Sequence, residues 1–236
     1  MKWVDEKVNG ARVKNRIVVN NGGNSSQHWN YLWTRKLTNS HIRIPLSHKV
    51  EKFIRNHLYL KAIDMLLGAI SLVDKKIIEL GCGTGSNSLY LARTRKVSSV
   101  TLLDFSHSAL TRVVSELYPC PVTKICANLL EFSPKAGYDF VHSTGVVEHF
   151  LGTERVWAIE KHSECVRVGG FVMIWVPVFS HAFRYIGKFN RWIGIEELPF
   201  TKKELQSLCL KNKLEIIREG ESGFGALYGI LCKKIG

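Results

Sequence analysis

The sequence predicts an α/β chain: a doubly wound, mostly parallel seven-stranded sheet with an antiparallel last strand, preceded by an N-terminal helical and aromatic cap. Three observations predict it. From residue 75 onward, short apolar runs alternate with segments of helical period, the pattern of a parallel sheet covered on both faces. The first apolar run ends in a glycine-rich turn that opens a helix. The chain closes on two strand-like runs joined by the hairpin-like stretch Gly220 to Gly225, which turns the final strand back.

Residues 1–24 are polar and read as a flexible basic arm, running into Asn-Asn-Gly-Gly-Asn-Ser-Ser at 20–26. Residues 25–71 read as the cap. It holds the aromatic segment His28-Trp29-Asn30-Tyr31-Leu32-Trp33. After Pro45 comes a helix of over twenty residues, with Ser47 as its N-cap. Val50, Phe53, Ile54, Leu58, Ala62, Met65, Leu66 and Ile70 recur on it at three-to-four spacing, one buried stripe. Residues 72–236 read as one domain. Its strands are Ile77–Leu80, Val100–Leu103 (closing on Asp104), Val122–Cys126, Tyr138–Ser143 and Phe171–Val178, then Leu214–Arg218 and Ala226–Lys233. Between them, Leu89 and Ala92 begin a helical face, and Ser106–Leu117 is a helix stopped by Pro119-Cys120-Pro121. Val156, Ile159 and Val166 mark another after Thr153, ended by Gly169-Gly170, and Thr201 caps Lys202–Lys211. The stretch 179–200, with Phe183, Arg184, Tyr185, Lys188, Phe189, Arg191 and Trp192, reads as an inserted substrate cap or as a surface helix with an apolar underside.

The 236 residues carry 33 Lys plus Arg against 20 Asp plus Glu, a formal charge of +13. Their 45% hydrophobic content excludes general disorder. No apolar run approaches the ~18 residues of a membrane span, and residues 1–24 lack a signal-peptide apolar core. Six scattered cysteines with no CxxC pair point to reduced thiols in a cytoplasmic setting and not to a disulfide framework or zinc site. The charge suits nucleic acid, acidic lipid surfaces or phosphorylated metabolites, or is simply a solvated basic surface. It chooses no partner and fixes no oligomeric state.

The chemistry concentrates in Glu79-Leu80-Gly81-Cys82-Gly83-Thr84-Gly85. Glycines at 81, 83 and 85 let the backbone turn sharply and let a ligand approach closely, and the helix behind them offers free N–H groups. A dinucleotide turn, G-x-G-x-x-G, needs glycine where Ser86 stands, and the Gly-Lys-Ser/Thr of a phosphate loop is absent. Asp104, at the end of the second strand, has a carboxylate able to accept two hydrogen bonds from a ribose diol; capping the next helix is its competing role.

Five stretches, in order, resemble the class I S-adenosylmethionine-dependent methyltransferases. They are Ile77–Gly85, Leu102-Leu103-Asp104-Phe105-Ser106, Cys126-Ala127-Asn128-Leu129-Leu130, Tyr138–Phe150 and Val168–Ile174. With Glu148-His149 after the fourth strand, the chain is similar to the small-molecule branch, such as the quinone-biosynthesis type. The resemblance implies a Rossmann-like methyltransferase domain over residues 72–236 and S-adenosylmethionine as cofactor. It further implies that Gly81, Cys82, Gly83 and Gly85 pack on the methionyl part, and that Glu79 holds the loop or reaches the cofactor's amino group through water. Asp104 takes the ribose hydroxyls, Phe105 and Ser106 line the neighbouring turn, and Phe105 lies along the adenine. Asn128, where the family often has Asp, accepts from the adenine amino group, with Leu129 beside it. Ser143 and Thr144 lie where the family's backbone meets the cofactor.

His149 is the candidate general base, with Glu148 beside it; a partly buried structural histidine is the equal alternative. No metal ligand set is expected. Asn/Asp-Pro-Pro-Tyr, which the family uses for exocyclic base amines, is replaced by His142-Ser143-Thr144-Gly145, which favours a small-molecule oxygen, nitrogen or carbon acceptor, and the basic and aromatic residues of 179–200 suit one of anionic or aromatic character. The alternatives are an RNA or protein methyltransferase, or a non-catalytic module that keeps the fold for binding.

Overall fold

A computed structural model describes residues 2–8, 11–17, 59–134, 137–181, 183 and 197–236. The aromatic segment at 28–33, the helix start at Ser47 and the basic aromatic run at 184–196 lie outside these residues. The chain opens on an antiparallel pair, β1 (Lys2–Val8) with β2 (Ala11–Ile17). This corrects the arm expected over residues 1–24. The overlooked signal is Asn9-Gly10 between alternating runs, the residue pair most typical of two-residue hairpins. Residues 59–67 are helical (α1), the described part of the helix expected from Ser47.

The main sheet has seven strands: β3 (Lys76–Leu80), β4 (Ser99–Asp104), β5 (Val122–Cys126), β6 (Tyr138–Thr144), β7 (Val166–Pro177), β8 (Leu214–Ser222) and β9 (Leu227–Lys234). Their spatial order is β5-β4-β3-β6-β7-β9-β8. The first five are parallel, and β9 runs antiparallel between β7 and β8. Connecting them are α2 (Ser86–Arg95), α3 (His107–Leu110), α4 (Thr153–Cys165) and α5 (Lys202–Lys211). The chain order reverses between β3 and β6, the switch point where open parallel sheets bind ligands.

Strand alternation fills two layers. On one face Ile78, Leu80, Val141, Val172, Ile174 and Val176 pack with Ala158 and Ile159 of α4 and Leu205 and Cys209 of α5. On the other, Ile77, Val100, Leu102, Phe140, Met173 and Trp175 pack with Ile63, Leu66 and Leu67 of α1 and Leu91 and Ala92 of α2. Thr201 caps α5 as expected. Its hydroxyl accepts from the Glu204 N–H, and the Glu204 carboxylate answers at the Thr201 N–H.

Two expectations fail locally. The helix expected over Ser106–Leu117 ends after Leu110, and Ser115–Leu117 is a separate 3-10 turn. Leaving the helix lets Val113 and Tyr118 both reach the core, where the Tyr118 hydroxyl donates to the Gly85 carbonyl at 2.7 Å. Gly169-Gly170 does not divide helix from strand but lies within β7, where the register against β6 shifts. A Cβ on Gly170 would stand 2.8 Å from the Asp139 carbonyl, so only glycine permits that approach.

Two histidines are fully buried under the sheet's working end. His162 Nδ1 donates to the Ala158 carbonyl at 2.6 Å, which leaves its Nε2 to accept from Ser143 Oγ at 2.8 Å. His142 Nε2 pairs with Ser88 Oγ at 3.0 Å. Burial drives His142 down to about 3, with His162 adding to the effect, and drives His162 to about 4. Both stay neutral in the fold while the unfolded chain protonates near 6.5. Their contribution is complete above pH 6.5 and is lost as pH falls toward those values. Replacing both by Gln should flatten the fall in unfolding free energy between pH 6 and 4.5 by up to about 2.7 kcal/mol per pH unit, the weight of two protons. Urea titrations across that range check it; parallel slopes for both proteins would contradict it.

Candidate active site

Everything expected of the glycine turn depends on how two strand ends are joined. Gly81, Gly83 and Gly85 all adopt positive φ (68°, 53° and 70°). A Cβ on Gly81 would lie 2.5 Å from Val146 Cγ2, so the loop and the turn after β6 touch backbone to side chain. Gly85 begins α2, and a Cβ there would strike the Tyr118 hydroxyl.

Two buried carboxylates fix this loop. Glu79 accepts from Ser88 N–H and from the Asn87 side chain, both at 3.2 Å, so it holds the first turn of α2. Burial pushes it up to about 7 against those donors. Asp104 accepts at 2.8 Å from the Gly83 N–H on one oxygen and at 2.8 Å from the Ser106 N–H on the other. Burial raises its pKa, and the two amides oppose the rise. A carboxylate offers about four acceptor positions; these amides take two, so holding the loop and receiving a diol are compatible. Capping of α3 falls instead to Ser106, whose hydroxyl accepts from the Ala109 N–H at 3.2 Å.

Above the loop lies a cavity of about 420 Å³. Glu79, Gly81, Cys82, Gly83, Asp104, Phe105, Asn128, Leu129 and Thr144 line it, all from the expected cofactor set. Gly85, Ser106 and Ser143 do not. Gly85 and Ser106 shape the two turns from below. Ser143 is turned away to His162, because neighbours on a strand face opposite sides. Asn128 Oδ1 accepts from the Leu130 N–H at 3.0 Å, the turn role, and keeps a second lone pair. The cavity also uses Thr84, Ser86, Asn87, Ala127, Val146 and Phe150, which the sequence reading left out. They lie beside expected residues on the same turns, and the motif spacing was the available signal. Tyr59 reaches the cavity wall from α1 through a hydrogen bond to Thr144, a contact no local pattern announces.

Of the two catalytic candidates, His149 lines the cavity and Glu148 lies just outside it, 2% exposed. The 3-10 turn Val147–His149 carries both. Glu197, at the return from residues 184–196, meets them: ligand atoms of Glu148, His149 and Glu197 all lie within 4.8 Å of one another. Arg155 sets this meeting. It donates to the Phe150 carbonyl at 3.0 Å, to the Leu198 carbonyl at 2.6 Å and to the Glu204 carboxylate at 2.8 Å, stacked 3.9 Å from the Phe200 ring centre. The expectation of an anionic acceptor drew on the stretch 179–200, mostly outside the described residues. The described groups at this end, Glu148, Glu154 and Glu197, are acidic.

A family model described as a methyltransferase domain matches residues 77–170. Over those residues the chain is similar to a methyltransferase domain. No curated protein sequence matches the chain. Among solved structures, the fold resembles magnesium protoporphyrin IX methyltransferase from Synechocystis PCC 6803 with bound S-adenosylmethionine. That pair shares 14% identity over 93% of this chain and 100% of that one, with a TM-score of 0.67. It also resembles the N-methyltransferase NodS of Bradyrhizobium japonicum in complex with S-adenosyl-L-homocysteine (15% identity, 87% and 97% coverage, TM-score 0.60). A third likeness is the [4+2]-cyclase SpnF (11% identity, 75% and 81% coverage, TM-score 0.59). At such identities the likeness is one of fold, and SpnF shows that this fold serves more than one chemistry.

The left-handed turn against Val146 makes the fold sensitive at Gly81. Gly81→Ala should destabilise the protein by about 1–3 kcal/mol through its positive φ and the clash. Adding Val146→Ala should restore only the part due to the clash. Chemical denaturation of the three variants measures both, and an unchanged Gly81→Ala midpoint would refute the close approach.

Proposed function

We propose that the cavity holds S-adenosylmethionine and that the chain moves its methyl group to a small-molecule acceptor. The observation that carries this reading is the joining of the glycine turn and Asp104 around one cavity at the sheet's switch point. The residues present fit such a cofactor. Gly81 and Gly83 leave a cradle without side chains, and Asp104 keeps two acceptor positions for the ribose hydroxyls. Phe105 and Leu129 offer apolar walls for the base, and the second lone pair of Asn128 Oδ1 suits its amino group.

When bound, the cofactor supplies a methyl group already activated by its sulfonium. The chain then has three tasks: to bind, to orient and to exclude water. Glu79 keeps the turn in shape by holding α2. Thr144, Gly145, Val146 and Phe150 close the far wall and keep water from the acceptor. His149, on that wall, is placed to take a proton from the acceptor. The six cysteines are free thiols, which supports a cytoplasmic setting, and no helix among the described residues is long and apolar enough to cross a membrane.

Calorimetric titration with S-adenosylmethionine and S-adenosylhomocysteine tests the reading. The protein should bind both, and Asp104→Asn should weaken both by roughly 10–150-fold, the worth of hydrogen bonds to a charged group. No binding by the natural sequence, or full affinity in the variant, would overturn it.

A further inference from the structure

The chain carries thirteen more positive than negative charges, yet two acids, Glu148 and Glu197, meet at His149 on the wall of its cavity. Glu148 is 2% exposed, and its Oε2 has no hydrogen-bond partner among the described residues. A buried carboxylate oxygen without a donor is costly, and its natural complement is a cation or a strong donor. Glu197 and His149 converge on the same spot within 4.8 Å, and His149 also lines the cavity. The surroundings hold the three in place. The Leu198 N–H donates to the Glu148 carbonyl at 3.1 Å, and Arg155 ties Phe150 and Leu198 together from behind. The Arg155 guanidinium donates to the Phe150 and Leu198 carbonyls and to Glu204, and not to Glu148 Oε2.

We infer that Glu148, Glu197 and His149 form the subsite for a positively charged amine, and that the methyl acceptor is an alkylamine or arylalkylamine. An ammonium nitrogen has three N–H donors beyond its carbon. Donating to three acceptors at about 2.8 Å, it holds them about 4.6 Å apart, matching the spread of this cluster. An amine seated there lies beside His149 on the cavity wall; before it accepts a methyl group the ammonium gives one proton to His149, which frees the nitrogen lone pair, while Glu148 and Glu197 keep the other two N–H groups. Arg155 is a positioning residue, since it sets the distance between the two segments that bear the acids. Burial, with Glu197 nearby, pushes Glu148 up to about 8, partly countered by backbone hydrogen bonds from Glu148 and Val146 and by the charge of Arg155. The empty subsite therefore keeps a proton near neutral pH, which an entering ammonium displaces. Among the described residues, the facing titratable groups are Glu197, His149, Arg155 and, from α1, Tyr59. The amine's role as methyl acceptor rests on the proposed function above; its binding does not.

The test titrates the full chain with benzylamine, with the neutral isostere benzyl alcohol and with MnCl2, each with and without S-adenosylhomocysteine. Benzylamine should bind at least tenfold more tightly than the alcohol at pH 7, with a heat that depends on the buffer's ionisation enthalpy. Glu148→Gln and Glu197→Gln should each lose tenfold or more of the amine affinity. Circular dichroism and the melting temperature report whether each variant folds, and Glu197, less buried, serves if Glu148→Gln does not. Equal binding of amine and alcohol, amine affinity retained in the folded variants, or binding of manganese alone would overturn the inference. Absence of S-adenosylhomocysteine binding with amine binding intact would instead sink the methyl-transfer reading and leave the subsite standing.

Discussion

One carboxylate bridges the two strand ends on which the site is built. Asp104 ends β4 and accepts from an amide of the β3–α2 loop and from an amide of its own following turn. Both amides belong to turns, and the bridge satisfies donors that burial would otherwise strand. It also draws the glycine turn over the cavity floor, against the rim formed by Val146. Glu79 does the complementary work one strand across by holding the first turn of α2. The cavity is therefore shaped by two buried acids whose first duty is to backbone, and a ligand inherits acceptor positions already aimed.

The acceptor end follows the same logic with one difference. Glu148 is as buried as Glu79 and takes backbone hydrogen bonds from Val146 and from its own amide, but among the described residues its Oε2 finds no donor. The two equally buried glutamates differ in one oxygen, and that open Oε2 is the observation on which the proposed amine subsite rests.

Strands β3 and β4 were legible in the sequence to within a residue, because buried parallel strands read as continuous apolar runs bounded by turn residues. The capping of α5 was legible because Thr201 and Glu204 act locally. Most of the cofactor wall was legible as well, since motif spacing fixes turns at strand ends. Side-chain direction was less so: Ser143 and Thr144 were taken together, although alternation along β6 sends them to opposite faces. The early end of α3 follows from Tyr118 reaching Gly85, a contact between residues 33 apart that helical periodicity does not encode. Glu197 and Arg155 escaped the reading for the same reason. Each is an ordinary charged residue until the fold brings 148–150 against 197–200.

The central claim is that Asp104 and the glycine turn jointly grip a sulfonium nucleoside. Crystals of the full chain grown with S-adenosylhomocysteine test it most directly. The account predicts electron density for the nucleoside in the cavity, with both ribose hydroxyls on Asp104 and the Gly83 and Ser106 amides still in place. A nucleoside bound elsewhere, or one whose sugar avoids Asp104, would contradict it.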